Sequence, residues 1–199
     1  MIEVIGNILN DKVKVGLIKT EIGSLLKFTE SSPTSKINKV EINDIPDNSI
    51  AFTLDYDDPA DRSFKKLSSY FNPQNDVGIN KSCDLVILSI KDIEENENGD
   101  GKKAKADILV TDFKSDTVSP RGATQIENSI LFVDYIIKVI EKFYSLQINP
   151  CFIRRIITTQ ARKKPIGTKN QNARSELRIV SVRVDKQKKC DLKYPRIIA

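Results

Sequence analysis

DLVILSI (Asp84 to Ile90) and ADILVTDF (Ala106 to Phe113) are two apolar runs rich in β-branched residues, and they bracket a polar stretch, EENENGDG (Glu94 to Gly101). Runs of this length and composition favour strands, and the Asn- and Gly-rich segment between them is turn chemistry, so they predict an antiparallel hairpin. After a loop, SDTVSPRG (Ser115 to Gly122), the apolar residues Ile126, Ile130, Val133, Ile136, Ile137, Ile140 and Phe143 recur every three or four positions between Ala123 and Tyr144. That spacing predicts an amphipathic helix about 20 residues long, enough to cover one face of a sheet. FIRRIIT (Phe152 to Thr158) and LRIVSVRV (Leu177 to Val184) read as two further strands, separated by a basic loop, Arg162 to Arg174.

Upstream, Lys12 to Val15 and Ser49 to Leu54 have strand character, and Thr29 to Ser35 (TESSPTS) reads as a loop. Asp61 to Phe71 spaces Phe64, Leu67, Tyr70 and Phe71 as a helix does and stops at Asn72-Pro73. The expected fold is α/β (α+β): a mixed β-sheet with a central antiparallel hairpin flanked by helices. Residues 1–60 are expected to form a β-rich N-terminal extension packed on an α/β core of residues 61–199, the whole being one compact domain.

Composition narrows the function. The chain has 199 residues, 39% hydrophobic and 30% charged, which fits neither a disordered polyelectrolyte nor a fibrous chain. No apolar run reaches the roughly 18 to 20 residues that cross a bilayer, and Met1-Ile2-Glu3-Val4 does not open like a signal peptide, so a cytoplasmic protein with no membrane partner is expected. There is no histidine, which excludes Ser-His-Asp and Cys-His triads and His-ligated zinc. Cys83, Cys151 and Cys190 are far apart and suggest neither a disulfide framework nor a zinc cluster.

The net charge of +5 hides an asymmetry. To Pro150 there are 18 Lys and Arg against 24 Asp and Glu; from Cys151 onward there are 14 against 3. The basic clusters Arg154-Arg155, Arg162-Lys163-Lys164 and Lys186 with Lys188-Lys189 suit a polyanion such as nucleic acid, or are a solvated lysine-rich surface.

Asp112 and Lys114 lie two apart at a strand end and so share a face. A hairpin centred on Gly99 puts Asp84 across from Lys114, and a small change of loop register moves it toward Asp112. Two carboxylates and an ammonium at one end of a hairpin are a surface ion pair with a neighbour, or the parts of a metal-dependent phosphodiesterase. In the second case the carboxylates hold Mg²⁺ and the lysine orients the attacking water. Glu94, Asn96, Asn98 and Gly99 half-match a calcium loop, but Lys105 stands where its bidentate glutamate belongs. Ile166 to Lys169 lacks the glycine-rich lead of a phosphate-binding loop. Cys83 precedes an apolar strand and reads as a buried thiol, Thr124 as a helix cap, and Tyr194 as exposed.

Asp84, followed after the hairpin by Asp112-Phe113-Lys114, resembles the PD-(D/E)xK pattern of the restriction-endonuclease-like nuclease superfamily. The likeness covers roughly residues 60 to 160 and includes Gln125 and Asn128 early in the following helix. It implies a core of helix, three strands, helix and strand, with Asp84 and Asp112 as ligands of Mg²⁺ or Mn²⁺. Lys114 would be catalytic, and Gln125 would contact substrate or support the site. Arg154, Arg155, Arg162, Lys163 and Lys164 would meet the phosphates of nucleic acid, DNA before RNA. The resemblance also implies restriction, repair or anti-phage defence in bacteria, acting as a homodimer or with a partner ATPase. This sequence departs from the pattern in three ways: Cys83 replaces the proline, Asp112 replaces the commoner glutamate, and only Asp61 could supply the early-helix acid. Those departures suit the alternative of a non-catalytic subunit that keeps the fold as a nucleic-acid-binding or scaffold protein.

Overall fold

A computed structural model describes residues 1–30, 35–56, 80–95, 101–115, 120–159 and 176–199. The chain runs α1 (Ile2–Ile8), a 3₁₀ turn (Asp11–Val13), β1 (Lys14–Val15), β2 (Leu17–Thr20), β3 (Gly23–Thr29), β4 (Lys39–Ile45) and β5 (Ser49–Phe52). It continues β6 (Leu85–Glu95), β7 (Lys102–Lys114), α2 (Pro120–Tyr144), β8 (Leu146–Thr158), β9 (Arg178–Ser181), β10 (Lys189–Lys193) and α3 (Tyr194–Ile198).

Six strands form one sheet in the order β1-β5-β6-β7-β8-β9, and four form a second, β10-β4-β3-β2. In the larger sheet β5, β6 and β7 are an antiparallel meander, and β8 and β9 add in parallel. The expected hairpin and mixed sheet are therefore present. The parallel β7–β8 pair is possible because α2 carries the chain back between them.

Alternation along β6 and β7 divides the core in two. Val86, Leu88, Ile108 and Val110 pack with the α2 residues Ile126, Ile130, Val133, Ile137 and Ile140. Leu85, Ile87, Leu109 and Phe113 project the other way, onto Leu26, Val40 and Ile42 of the second sheet. α2 has the expected apolar face with one exception: Phe143 is 73% exposed. Pro120 opens the helix, where its missing N–H is no loss, and Ser145 ends it with a left-handed φ of 51°.

The boundary expected at residue 60 does not divide the molecule. β1 and β5 complete the large sheet, and β10 pairs with β4 in parallel, tying the C-terminal segment to the first fifty residues. Tyr194, expected on the surface, is 2% exposed, its hydroxyl 3.1 Å from Ser89 Oγ. The helix expected over 61–71 and the phosphate-loop-like 166–169 lie outside the described residues, as do 96–100 of the calcium-like stretch. Among the described residues no helix is long and apolar enough to cross a membrane.

The hairpin carries one irregularity. Near the turn Glu95 pairs with Lys102 and Asp92 with Lys105, while toward the base Ile90 pairs with Ala106 and Leu85 with Thr111, leaving Lys91 as an extra residue. Such a β-bulge shifts the register by one. Lys91 is anchored there by the buried carboxylate of Asp107, whose Oδ2 is 2.6 Å from Nζ.

Candidate metal centre

The register at the base of the hairpin, continued one step beyond Leu85–Thr111, sets Asp84 against Asp112. Asp84 is 7% exposed, and its Oδ2 accepts the Phe113 N–H at 2.5 Å. Asp112 is fully buried, and its carboxyl is hydrogen-bonded to that of Asp84. Lys114 Nζ is 2.7 Å from Asp112 Oδ2, an ion pair, and donates to Gln125 Oε1 at 3.0 Å. Asp84, Asp112, Lys114 and Gln125 are thus brought together on the face of the sheet that α2 covers.

Electrostatics make this an expensive arrangement. Burial raises the Asp84 carboxyl well above the ordinary range, the neighbouring Asp112 charge raises it further, and the Phe113 N–H opposes them. Burial also raises Asp112, with the Lys114 ammonium pulling back. Glu30, just past β3, adds its negative charge to both. Sequence reasoning missed Glu30, because nothing local marks a residue that the second sheet carries to this end of the first. The loop after it is stitched to the site, Lys36 N–H donating to Ser115 Oγ at 2.7 Å. Burial pushes the Cys83 thiol up to about 12, as expected of an inert thiol.

α2 does more than cover the pair. Gln125 Nε2 donates to Ser82 O at 2.8 Å, so its amide is held at one end by the backbone and holds Lys114 at the other. Thr124, expected as a cap, lies inside the helix. A Cβ added to Gly122 would stand 3.1 Å from Ile156 Cδ1, 3.3 Å from Asp112 Oδ2 and 3.6 Å from Lys114 Cε. Glycine at this position lets the first turn of α2 approach the carboxylate. Gly122→Ala gains roughly 0.5–1 kcal/mol of helix propensity but presses a methyl on the site. It is expected to leave the thermal midpoint within a few degrees of wild type while weakening Mn²⁺ binding several-fold, as read by melting and calorimetric titration side by side.

The basic residues separate. Arg154 lies on the α2 face of β8, its side chain 23% exposed, with Nε 2.9 Å from Glu127 Oε1, beside the start of α2. Arg155, the next residue of the strand, points inward, is 1% exposed and donates to the Ile197 carbonyl at 2.6 Å. The expectation that Arg155 meets phosphate is therefore corrected: alternation along β8 turns one of the two guanidiniums into the core. Arg162, Lys163 and Lys164, and the acid candidate Asp61, lie outside the described residues.

Two adjacent buried carboxyl groups that share a proton when no cation is bound fit a hard cation that would take the proton's place. Among the described residues no three His, Cys, Asp or Glu side chains are grouped to hold a metal, so Asp84 and Asp112 are the protein ligands on offer. No family model, no curated protein and no solved structure matches the chain.

Proposed function

We propose that the protein is a nuclease that hydrolyses phosphodiester bonds with Mg²⁺ or Mn²⁺, of the restriction-endonuclease-like type. The observation that carries this reading is the burial of Asp84 and Asp112 against each other with the Lys114 ammonium 2.7 Å from Asp112 Oδ2. Buried like charges destabilise a fold unless a cation or a proton joins them. A strand meander followed by a long helix and a parallel strand supports this reading.

In this reading Asp84 and Asp112 hold the cation, which when bound polarises the scissile phosphate and makes its water acidic. Lys114, tethered by Gln125, orients the attacking water and stabilises negative charge developing on the phosphate. Arg154 and the basic segment containing Arg162, Lys163 and Lys164 contact phosphates, which makes binding salt-dependent and weakly sequence-selective. DNA is the favoured substrate. Action in bacterial restriction, repair or anti-phage defence, as a homodimer or beside a partner ATPase, completes the proposal. A non-catalytic nuclease-fold subunit is the second reading, favoured by the grouping of only two carboxylates among the described residues.

The test is calorimetric titration with Mn²⁺ and cleavage of mixed DNA and RNA by wild type and Lys114→Ala. We expect Mn²⁺ binding in both and cleavage by wild type alone, with at least about a 100-fold loss in the variant. Mn²⁺ binding without cleavage by wild type selects the non-catalytic reading. Absence of both Mn²⁺ binding and cleavage overturns the nuclease reading.

A further inference from the structure

We propose that Ser129 is a positioning residue of the cation site, fixing the backbone that presents Asp84; this rests on the nuclease reading above. Ser129 is fully buried in α2, among Ile126, Ile130 and Val133. A serine inside a helix that bonds back to the carbonyl four residues earlier slightly weakens the helix. Ser129 does so, donating to Gln125 O at 2.8 Å. Its place on an apolar face is explained by its other bond, in which its oxygen accepts the Cys83 N–H at 2.8 Å.

That N–H needs an acceptor. Cys83 precedes β6, so the ladder to β7, which begins at Leu85, offers it nothing, and it is fully buried. A buried N–H without a partner bears the full penalty of leaving water. The same helical turn holds the two residues before it: Asn128 Nδ2 donates to Lys81 O at 3.2 Å and Gln125 Nε2 to Ser82 O at 2.8 Å. One turn of α2 therefore grips the backbone of residues 81–83 and, through the far end of Gln125, the Lys114 ammonium. Any slip of the 81–84 segment along the helix moves Asp84 relative to Asp112. Burial of the α2 face is secured by its isoleucines. What the Ser129 hydroxyl adds is the position of the chain one residue before a metal ligand.

A matched control separates positioning from stability. Ser89 is also buried, on the opposite face of the sheet, with its Oγ 2.8 Å from Ser49 Oγ. Ser129→Ala and Ser89→Ala are each expected to lower the thermal midpoint. Only Ser129→Ala is expected to weaken Mn²⁺ binding, by about tenfold or more, when both are titrated well below their midpoints. Faster hydrogen exchange at the Cys83 amide accompanies that loss. Ser129→Cys, which keeps the volume but offers a weak acceptor, replaces the alanine variant if that one does not fold, and it too must weaken binding. Unchanged Mn²⁺ affinity in the folded Ser129 variant, or an equal loss in Ser89→Ala, overturns the inference and leaves the nuclease reading standing. Absence of Mn²⁺ binding by wild type overturns the role of Ser129, and if cleavage is absent as well the nuclease reading falls with it.

Discussion

Asp112→Asn is expected to raise the thermal midpoint of the cation-free protein at neutral pH and to abolish its stabilisation by Mn²⁺. Burial raises both Asp84 and Asp112 above the ordinary carboxyl value of 3.8. A group whose affinity for its proton is higher folded than unfolded contributes stability that is complete below its unfolded pKa. That contribution is lost as pH rises through the folded value. At pH 7 the pair therefore strains the fold, and an amide in place of one carboxylate relieves it. A buried polar group lacking compensation is disfavoured by about 1–3 kcal/mol and a charged one by more, and each kcal/mol moves the midpoint by roughly 2–4 °C in a chain of this size. The same sign predicts that cation-free wild type melts higher as pH falls through the raised carboxyl values toward the ordinary 3.8, and that Mn²⁺ gives its largest stabilisation above them. Melting scans across pH, in chelator and in Mn²⁺, check both. A variant that melts lower than wild type in chelator, or still responds to Mn²⁺, would contradict the account.

Arg155→Ala is expected to be the most destabilising single substitution, by about 3–5 kcal/mol. The guanidinium donates to the carbonyls of Ile197 at 2.6 Å, Arg154 at 2.9 Å, Ile198 at 3.3 Å and Glu176 at 3.4 Å. It thereby joins β8 to α3 and to the approach to β9. Truncation leaves buried carbonyls without donors and a void the length of the side chain, in a position 1% exposed. Its neighbour supplies the contrast. The ion pair of Arg154 with Glu127, at side-chain exposures of 23% and 57%, is a partly exposed one worth about 1 kcal/mol or less. Arg154→Ala should melt near wild type yet lower affinity for nucleic acid and reduce its salt slope by about one. Chemical denaturation of the two variants, with salt-dependent binding by Arg154→Ala, decides the assignment. Equal stability in both would mean that Arg155 is not the clamp described.

What could be read in the residues follows the range of the interaction. The hairpin strands and α2 were legible because each announces itself within a dozen residues, by β-branched runs or a 3.6-residue period. β8 begins earlier than FIRRIIT suggests, at Leu146. Asn149-Pro150 looks like a break, but β9 pairs only with Arg155 to Thr158, so at Pro150 the strand has an outer side where no N–H is needed. The second sheet stayed hidden because its closing strand, β10, comes from the far end of the chain. The two carboxylates and the lysine were legible in kind and nearly in register: equal distances from Gly99 face Asp84 with Lys114, and the small register change toward Asp112 is the one that the bulge makes. A basic pair on a strand is split by its period of 2 between the two faces of the sheet, here the α2 side and the side of the second sheet.

The extra residue at Lys91 reaches well past its own bend. If the pairing of Glu95 with Lys102 ran uninterrupted to the base, Asp84 would face Phe113 and point away from α2, toward the second sheet. One odd residue, seven positions from the carboxylate, makes the two acids neighbours instead. The centre is thus encoded in the parity of a strand. Changes in the length of the β6–β7 connection, beyond the bulge, leave that parity alone. That connection is where a fluorophore or affinity handle could be spliced without touching the chemistry, whereas a single residue added between Asp84 and Lys91 would disassemble the centre without altering any of its side chains.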